Sequence, residues 1–272
     1  MIVAAHTLAL VAYLVSALLL VSSLARGRRQ VPWTASAALA VGAVAHIGGI
    51  LAYVTVFGEL PLAGIGPSLS TLGLVVALFV LGAASLGEAR PLGIAVVPVA
   101  AVLVGSALAL GISPSGAGGY FGSRPWFYLH VLLAFAGYAG LALASGAGLL
   151  YLLQLRELKD KRFGKVFRFL PSLDKLEDVG RRALVVGLTA LTIGLALAWA
   201  WTVRFEGSLQ LGEPKVAWAI GTWFVMAIAL GFRGGGPHRE RWGAALSVAG
   251  FVLVVVAYLV MRLGMIGEGG FF

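Results

Sequence analysis

The sequence predicts an all-α integral membrane protein: one membrane domain over residues 1–272, eight transmembrane helices, both termini outside, and an interfacial helical segment on the cytoplasmic side. Three observations predict it. Of the 272 residues, 60% are hydrophobic and 11% charged, whereas a soluble domain carries about 25% charged residues, so this chain cannot coat its own surface with polar groups. Eight apolar stretches approach the roughly 20 residues that a helix needs to cross the hydrocarbon core, and mean hydropathy is +0.97. Connections rich and poor in Lys and Arg alternate along the chain, and such residues prefer cytoplasmic loops.

The first stretch, 2–24, runs into Arg26, Arg28 and Arg29 and has no positive region before it. It therefore stays as a helix and is not a cleaved leader. The second, 33–57, and the third, 64–87, bring the chain to Arg90. The fourth, 91–112, is followed by 113–125, which is rich in Gly, Ser and Pro and reads as a loop. The fifth, 126–155, leads into the longest basic connection, 156–182, with nine Lys and Arg. There Phe163, Val166, Phe167, Leu170, Leu173 and Leu176 recur at three- and four-residue steps, as in a helix lying on the interface. Pro171 breaks that helix in its middle; the competing reading is a solvated linker. The sixth and seventh, 183–203 and 215–232, are joined across 202–214, and Arg233, Arg239 and Arg241 precede the eighth, 243–262. Sixteen of the 20 basic residues fall on one side, leaving Arg124, Arg204, Lys215 and Arg262 on the other. The net charge of +9 is thus mainly a topology signal, with a secondary attraction to anionic lipid. It is not the display of a nucleic-acid binder, which needs a water-exposed basic face.

With these boundaries no Asp, Glu, Lys or Arg lies in the middle of a span, which argues against an ion pump or proton-coupled transporter. The absence of Cys excludes thiolate ligation, disulfide exchange and thioether cofactors on this chain. Histidine is the main group left. His238 reads as a loop residue, while His6, His46 and His130 lie inside helices. A lone imidazole there is either a neutral ring bonded to a neighbouring helix or a ligand, and imidazole is a common ligand of haem iron. No helix carries two His, so a stacked two-haem electron wire, and with it a quinol-using haem oxidoreductase, is disfavoured. Depth along the helices pairs His6 with His130, His46 being deeper.

Five of the seven Trp, Trp126, Trp199, Trp201, Trp218 and Trp223, lie at outer helix ends. An ordinary aromatic belt would populate both faces. Near them stand Arg124, Arg204 and Lys215. Indoles for the face of an apolar macrocycle and cations for its carboxylates suit such a rim; ordinary anchoring plus loop charges is the alternative.

The run Ser123–Val131 (SRPWFYLHV), continuing to Gly137-Tyr138-Ala139, resembles the His-bearing helix of the cytochrome c assembly family, which includes CcsA, CcmC and HemX/YpjD-like proteins. Residues 149–154 and 169–177 resemble its cytoplasmic connection. Gly194-Leu195, Trp199-Ala200-Trp201, Glu213-Pro214-Lys215, Trp218 and Trp223 resemble its tryptophan-rich external segment. The likeness extends from about 120 to 262. It implies a non-enzymatic haem-handling protein of a bacterial-type plasma membrane, holding haem b and presenting or exporting it at the outer face. Its implied partners are haem, apocytochrome c, other assembly membrane proteins and the lipid bilayer, with no nucleic acid. By the same resemblance His130 is the outer axial ligand, His46 its partner and His6 the alternative. The outer His expected after the tryptophans is missing, and Leu230–Arg233 replaces a cytoplasm-side His, which points to a HemX/YpjD-like single site. A membrane regulator or scaffold acting through 156–182 is the alternative function.

Overall fold

The computed structural model describes residues 1–27, 30–85, 89–114, 125–161, 163–205 and 214–265, the side chains of 205, 214, 215 and 258–265 excepted. Among the described residues helix is the only regular structure, with no strand. The helices are α1 (Ile2–Ala25), α2 (Trp33–Phe57), α3 (Ile65–Ala84), α4 (Gly93–Leu110), α5 (Pro125–Lys159), α6 (Lys165–Phe169), α7 (Leu173–Phe205), α8 (Pro214–Gly231) and α9 (Pro237–Met265), with a 3-10 turn at Arg90–Leu92 before α4. Seven of them are long and apolar enough to cross a membrane, and α8 adds a shorter apolar stretch, Val216–Gly231. Large apolar side chains such as Leu18, Val44, Val102 and Leu253 stand exposed on the outward faces. Contiguous surface of that kind suits hydrocarbon and not water.

Local chemistry sets the ends. Gly58 closes α2 at φ 71°, its N–H donating to the Val54 carbonyl, a conformation that costs glycine nothing. The basic connection differs from the expected single broken helix. Its first turn belongs to α5, α6 is five residues long, and Leu170 is extended before Pro171 as a residue preceding proline prefers. Then α7 starts ten residues before the expected span at 183, with the Ser172 hydroxyl accepting the Lys175 N–H at 3.4 Å. Phe169, Leu170, Leu176 and Val179 are buried in the core while Phe163 is 61% exposed, so most of that apolar stripe packs on protein.

Two groups of helices result. In one, α1 packs on α2 and α4, and α3 on α4; in the other, α5 packs on α7 and α9, and α8 on α7 and α9; α3 and α5 make the main join. The α5–α7 pair is the most extensive because small residues let the backbones meet. A Cβ on Gly140 would lie 2.7 Å from both the Ala183 carbonyl oxygen and the Gly187 Cα.

Candidate functional site

The first cluster lies where α1, α2 and α3 meet. His6 and Tyr13 are seven residues apart and so share a face of α1, and Gly42, His46 and Gly49 share a face of α2 by the same periodicity. The glycines are slots: a Cβ on Gly42 would strike the Tyr13 ring and one on Gly49 the His6 ring, both at 2.6 Å. His46 fits between, its ring edge-on to His6 with centroids 5.0 Å apart. Ser70 of α3 completes the group, and all four side chains are buried.

The hydrogen bonds have one consistent direction for neutral rings. The Ile2 carbonyl only accepts, so His6 Nδ1, 2.8 Å away, carries the proton and Nε2 is the acceptor. Ser70 Oγ, 2.9 Å from that Nε2, must therefore donate to it. The serine proton being spent, His46 Nε2–H donates to Ser70 Oγ at 2.9 Å. His46 Nδ1 then accepts from Tyr13 Oη at 3.2 Å. Every polar atom is used and the two imidazoles hold opposite tautomers.

His130, half-buried near the start of α5, is different. Its Nδ1 donates to the Gly194 carbonyl of α7 at 2.8 Å, where the small residue brings the helices together: a Cβ on Gly194 would sit 3.5 Å from the His130 carbonyl oxygen. Fixing the proton on Nδ1 leaves the lone pair on Nε2, an arrangement common in metal-binding histidines. Nε2 has no hydrogen-bond partner among the described residues.

The tryptophans gather on the same helix group. Trp126 and Trp199 are 59% and 60% exposed. Trp201, Trp218 and Trp223 are half-buried. Trp218 lies against Tyr138, ring centroids 4.7 Å apart and planes tilted by 44°, and donates to the Val254 carbonyl, and Trp223 donates to Thr192 Oγ1. Arg204 is exposed at the end of α7. Arg124, the Lys215 side chain and most of the two loops, 115–124 and 206–213, lie outside the described residues. The structure therefore brings His6 and His46 together and leaves His130 on the helix group that carries the tryptophans. His6 is hydrogen-bonded to α1 and α3 and His130 to α7.

Sequence reasoning missed Tyr13 and Ser70; the seven-residue matching of His6, Tyr13, Gly42 and Gly49 was a signal for Tyr13, and nothing in the sequence pointed to Ser70 on α3. It also missed a buried ion pair. Arg233 was read as a loop cation, yet its side chain is 0% exposed and pairs with Glu177 at 2.6 Å. It donates as well to Ser247 Oγ. A Cβ on Gly180 would meet this guanidinium at 2.6 Å, and Gly243 borders its stem. The interior is thus not free of charge; the pair occupies the end of the bundle where the sequence resemblance expected a histidine.

A family model described as Cytochrome C assembly protein matches residues 40–266. The chain is 31% identical over 151 residues to the cytochrome c biogenesis protein CcsA of Chlamydomonas reinhardtii, covering 54% of this chain and 41% of that one. It is 29% identical over 159 residues to the CcsA of Guillardia theta, 53% and 52% covered, and 35% identical over 102 residues to that of Gloeothece citriformis, 36% and 31% covered. The chain spans about half the length of these relatives, or less. No solved structure matches it.

Proposed function

The chain is a multi-pass membrane protein of the cytochrome c assembly protein family, and on that premise we propose that it binds haem b and presents it at one membrane face during cytochrome c biogenesis. The observation that carries the reading is His130: a carbonyl holds its Nδ1–H, and Nε2 keeps an open lone pair. Haem, when bound, supplies an iron that takes imidazole and a vinyl edge on which a partner forms thioether bonds. His130 would be one residue holding the haem iron, and His46, with His6 as the alternative, would supply a second imidazole. Trp126, Trp199, Trp201, Trp218 and Trp223 offer faces to the macrocycle. Arg124, Arg204 and Lys215 neutralise the propionates. The chain delivers and does not catalyse; apocytochrome c and other assembly membrane proteins receive from it.

The topology belongs to the same proposal. Eight helices, with α8 as the seventh span, place both termini outside a bacterial-type plasma membrane and put the basic connections in the cytoplasm. There Phe163 and the exposed side of α6 meet the interface.

The test is optical. Protein purified with haem supplied is expected to show a Soret band that His130→Ala weakens, and His46→Ala or His6→Ala, whichever supplies the second ligand, is expected to convert a six-coordinate low-spin spectrum to a five-coordinate one. Spectra unchanged in the single variants and in the double variants that join His130→Ala to each of the other two defeat the proposal.

A further inference from the structure

A cavity of about 380 Å³ opens at the end of the bundle that carries the basic connections, between α1, α4, α5 and α6. Leu24, Ile94, Leu150, Val166 and Leu170 give it an apolar floor, and Arg156, Glu157 and Asp160 stand at its lining from the last turns of α5. The α6 wall is pinned in place: Lys165, at the start of α6, donates from Nζ to the Ala25 carbonyl at 2.7 Å, capping the end of α1. That lysine is spent on the helix terminus. Among the described residues that line the cavity, the charges left are one cation and two anions.

Those charges are loosely held. Arg156 Nε lies 3.8 Å from Asp160 Oδ2, beyond hydrogen-bond reach, and its side chain is 79% exposed. Glu157 makes no hydrogen bond or ion pair among the described residues. We propose that this cavity binds a zwitterionic phospholipid carrying a primary ammonium: the phosphate takes hydrogen bonds from the Arg156 guanidinium, the ammonium donates to the Glu157 and Asp160 carboxylates, and an acyl chain lies on the apolar floor. An acyl chain gains little by leaving one hydrocarbon phase for another, so the floor supplies room and the headgroup supplies selectivity. A dianionic amphiphile, haem included, meets two carboxylates there and is disfavoured. A quaternary ammonium has no N–H to donate.

The test incorporates the full chain into bilayers of equal parts phosphatidylethanolamine, phosphatidylcholine and phosphatidylglycerol, extracts it gently and counts retained lipid by native mass spectrometry. Phosphatidylethanolamine is expected to be enriched by roughly two- to fivefold over each of the others, the ratio that one or two exposed ion pairs supply. The Glu157→Gln, Asp160→Asn double variant is expected to lose the preference over phosphatidylcholine, Arg156→Gln to lower retention of all three, and Ala95→Phe, which fills the floor, to do likewise. These lining residues are exposed or half-buried, and circular dichroism of each variant checks that the helices persist. Equal retention of the three lipids, a preference for phosphatidylglycerol, or a preference untouched in the double variant overturns the proposal.

Discussion

Ser70→Ala tests the directed hydrogen-bond chain most sharply, because one hydroxyl serves both imidazoles. Its loss leaves the His46 Nε2–H without an acceptor and the His6 Nε2 without a donor, at a place where the four side chains exclude water. A buried polar group left unpaired costs about 1–3 kcal/mol, whereas measured hydrogen bonds between membrane helices average about 0.6 and reach about 1.7 kcal/mol. Two fully buried bonds near the upper membrane value give an expected loss of about 2–4 kcal/mol. Tyr13→Phe removes only one donor, and half that loss is expected. The assay is reversible unfolding of the solubilised chain in a denaturing detergent, followed by helical circular dichroism. Ser85→Ala is the control, since that hydroxyl is exposed and bonded to its own helix at Gly82, and a change within about 0.5 kcal/mol is expected. Nitrogen-15 spectra add a readout that packing alone would not move: His6 is expected protonated on Nδ1 and His46 on Nε2. A Ser70→Ala variant no weaker than Ser85→Ala, or two rings in the same tautomer, refutes the reasoning.

Other outcomes follow from the same geometry. Gly140→Ala places a methyl against backbone atoms of Ala183 and Gly187, and a loss of about 1–3 kcal/mol is expected in the unfolding assay, while Gly221→Ala, with open space around it, is neutral or mildly stabilising. Glu177→Gln strands the buried Arg233 guanidinium and is expected to cost about 3–5 kcal/mol, whereas the double variant Glu177→Met, Arg233→Met is near neutral; equal losses in both would show that the charges are not paired. Because the sequence contains no cysteine, His238→Cys and Ser113→Cys report topology cleanly. A membrane-impermeant thiol reagent added outside is expected to label Ser113→Cys and spare His238→Cys, and labelling of both on one side contradicts the alternation of spans.

Most of the helices were legible because each crossing demands a long apolar run, and an apolar run shows in the sequence. The start of α7 was not. Its first two turns carry Asp174, Lys175, Glu177 and Asp178, so composition assigns them to a connection; Leu176 and Val179 nevertheless face the core, and Ser172 and Pro171 set the break just before them. The histidines show the same limit in another form. Depth along each helix can be counted from the sequence, but helix neighbours cannot, and the packing of α1 on α2 and the contact of α2 with α3 decide that His6 meets His46. Arg233 was misplaced for a related reason. It follows the last helical residue of α8, where a cation is ordinarily solvated, and only the slot between Gly180 and Gly243 and the carboxylate of Glu177 turn it inward.

The three buried or half-buried histidines therefore enter any haem chemistry on unequal terms. All four ring nitrogens of His6 and His46 are engaged within the protein, so iron ligation by either must first offset the loss of a buried hydrogen bond, about 1–3 kcal/mol. His130 spends one nitrogen on the Gly194 carbonyl, and that bond orients the ring without consuming the other lone pair. Ligation at His130 gains a bond and breaks none among the described residues. Of the three, His130 would thus hold an iron with the least rearrangement of the described residues. Ser70→Ala would release the Nε2 lone pair of His6, whereas His46 Nε2 keeps its proton unless that proton moves to Nδ1 and the Tyr13 bond turns round, so the variant is expected to weaken the fold while making His6 alone more available to iron.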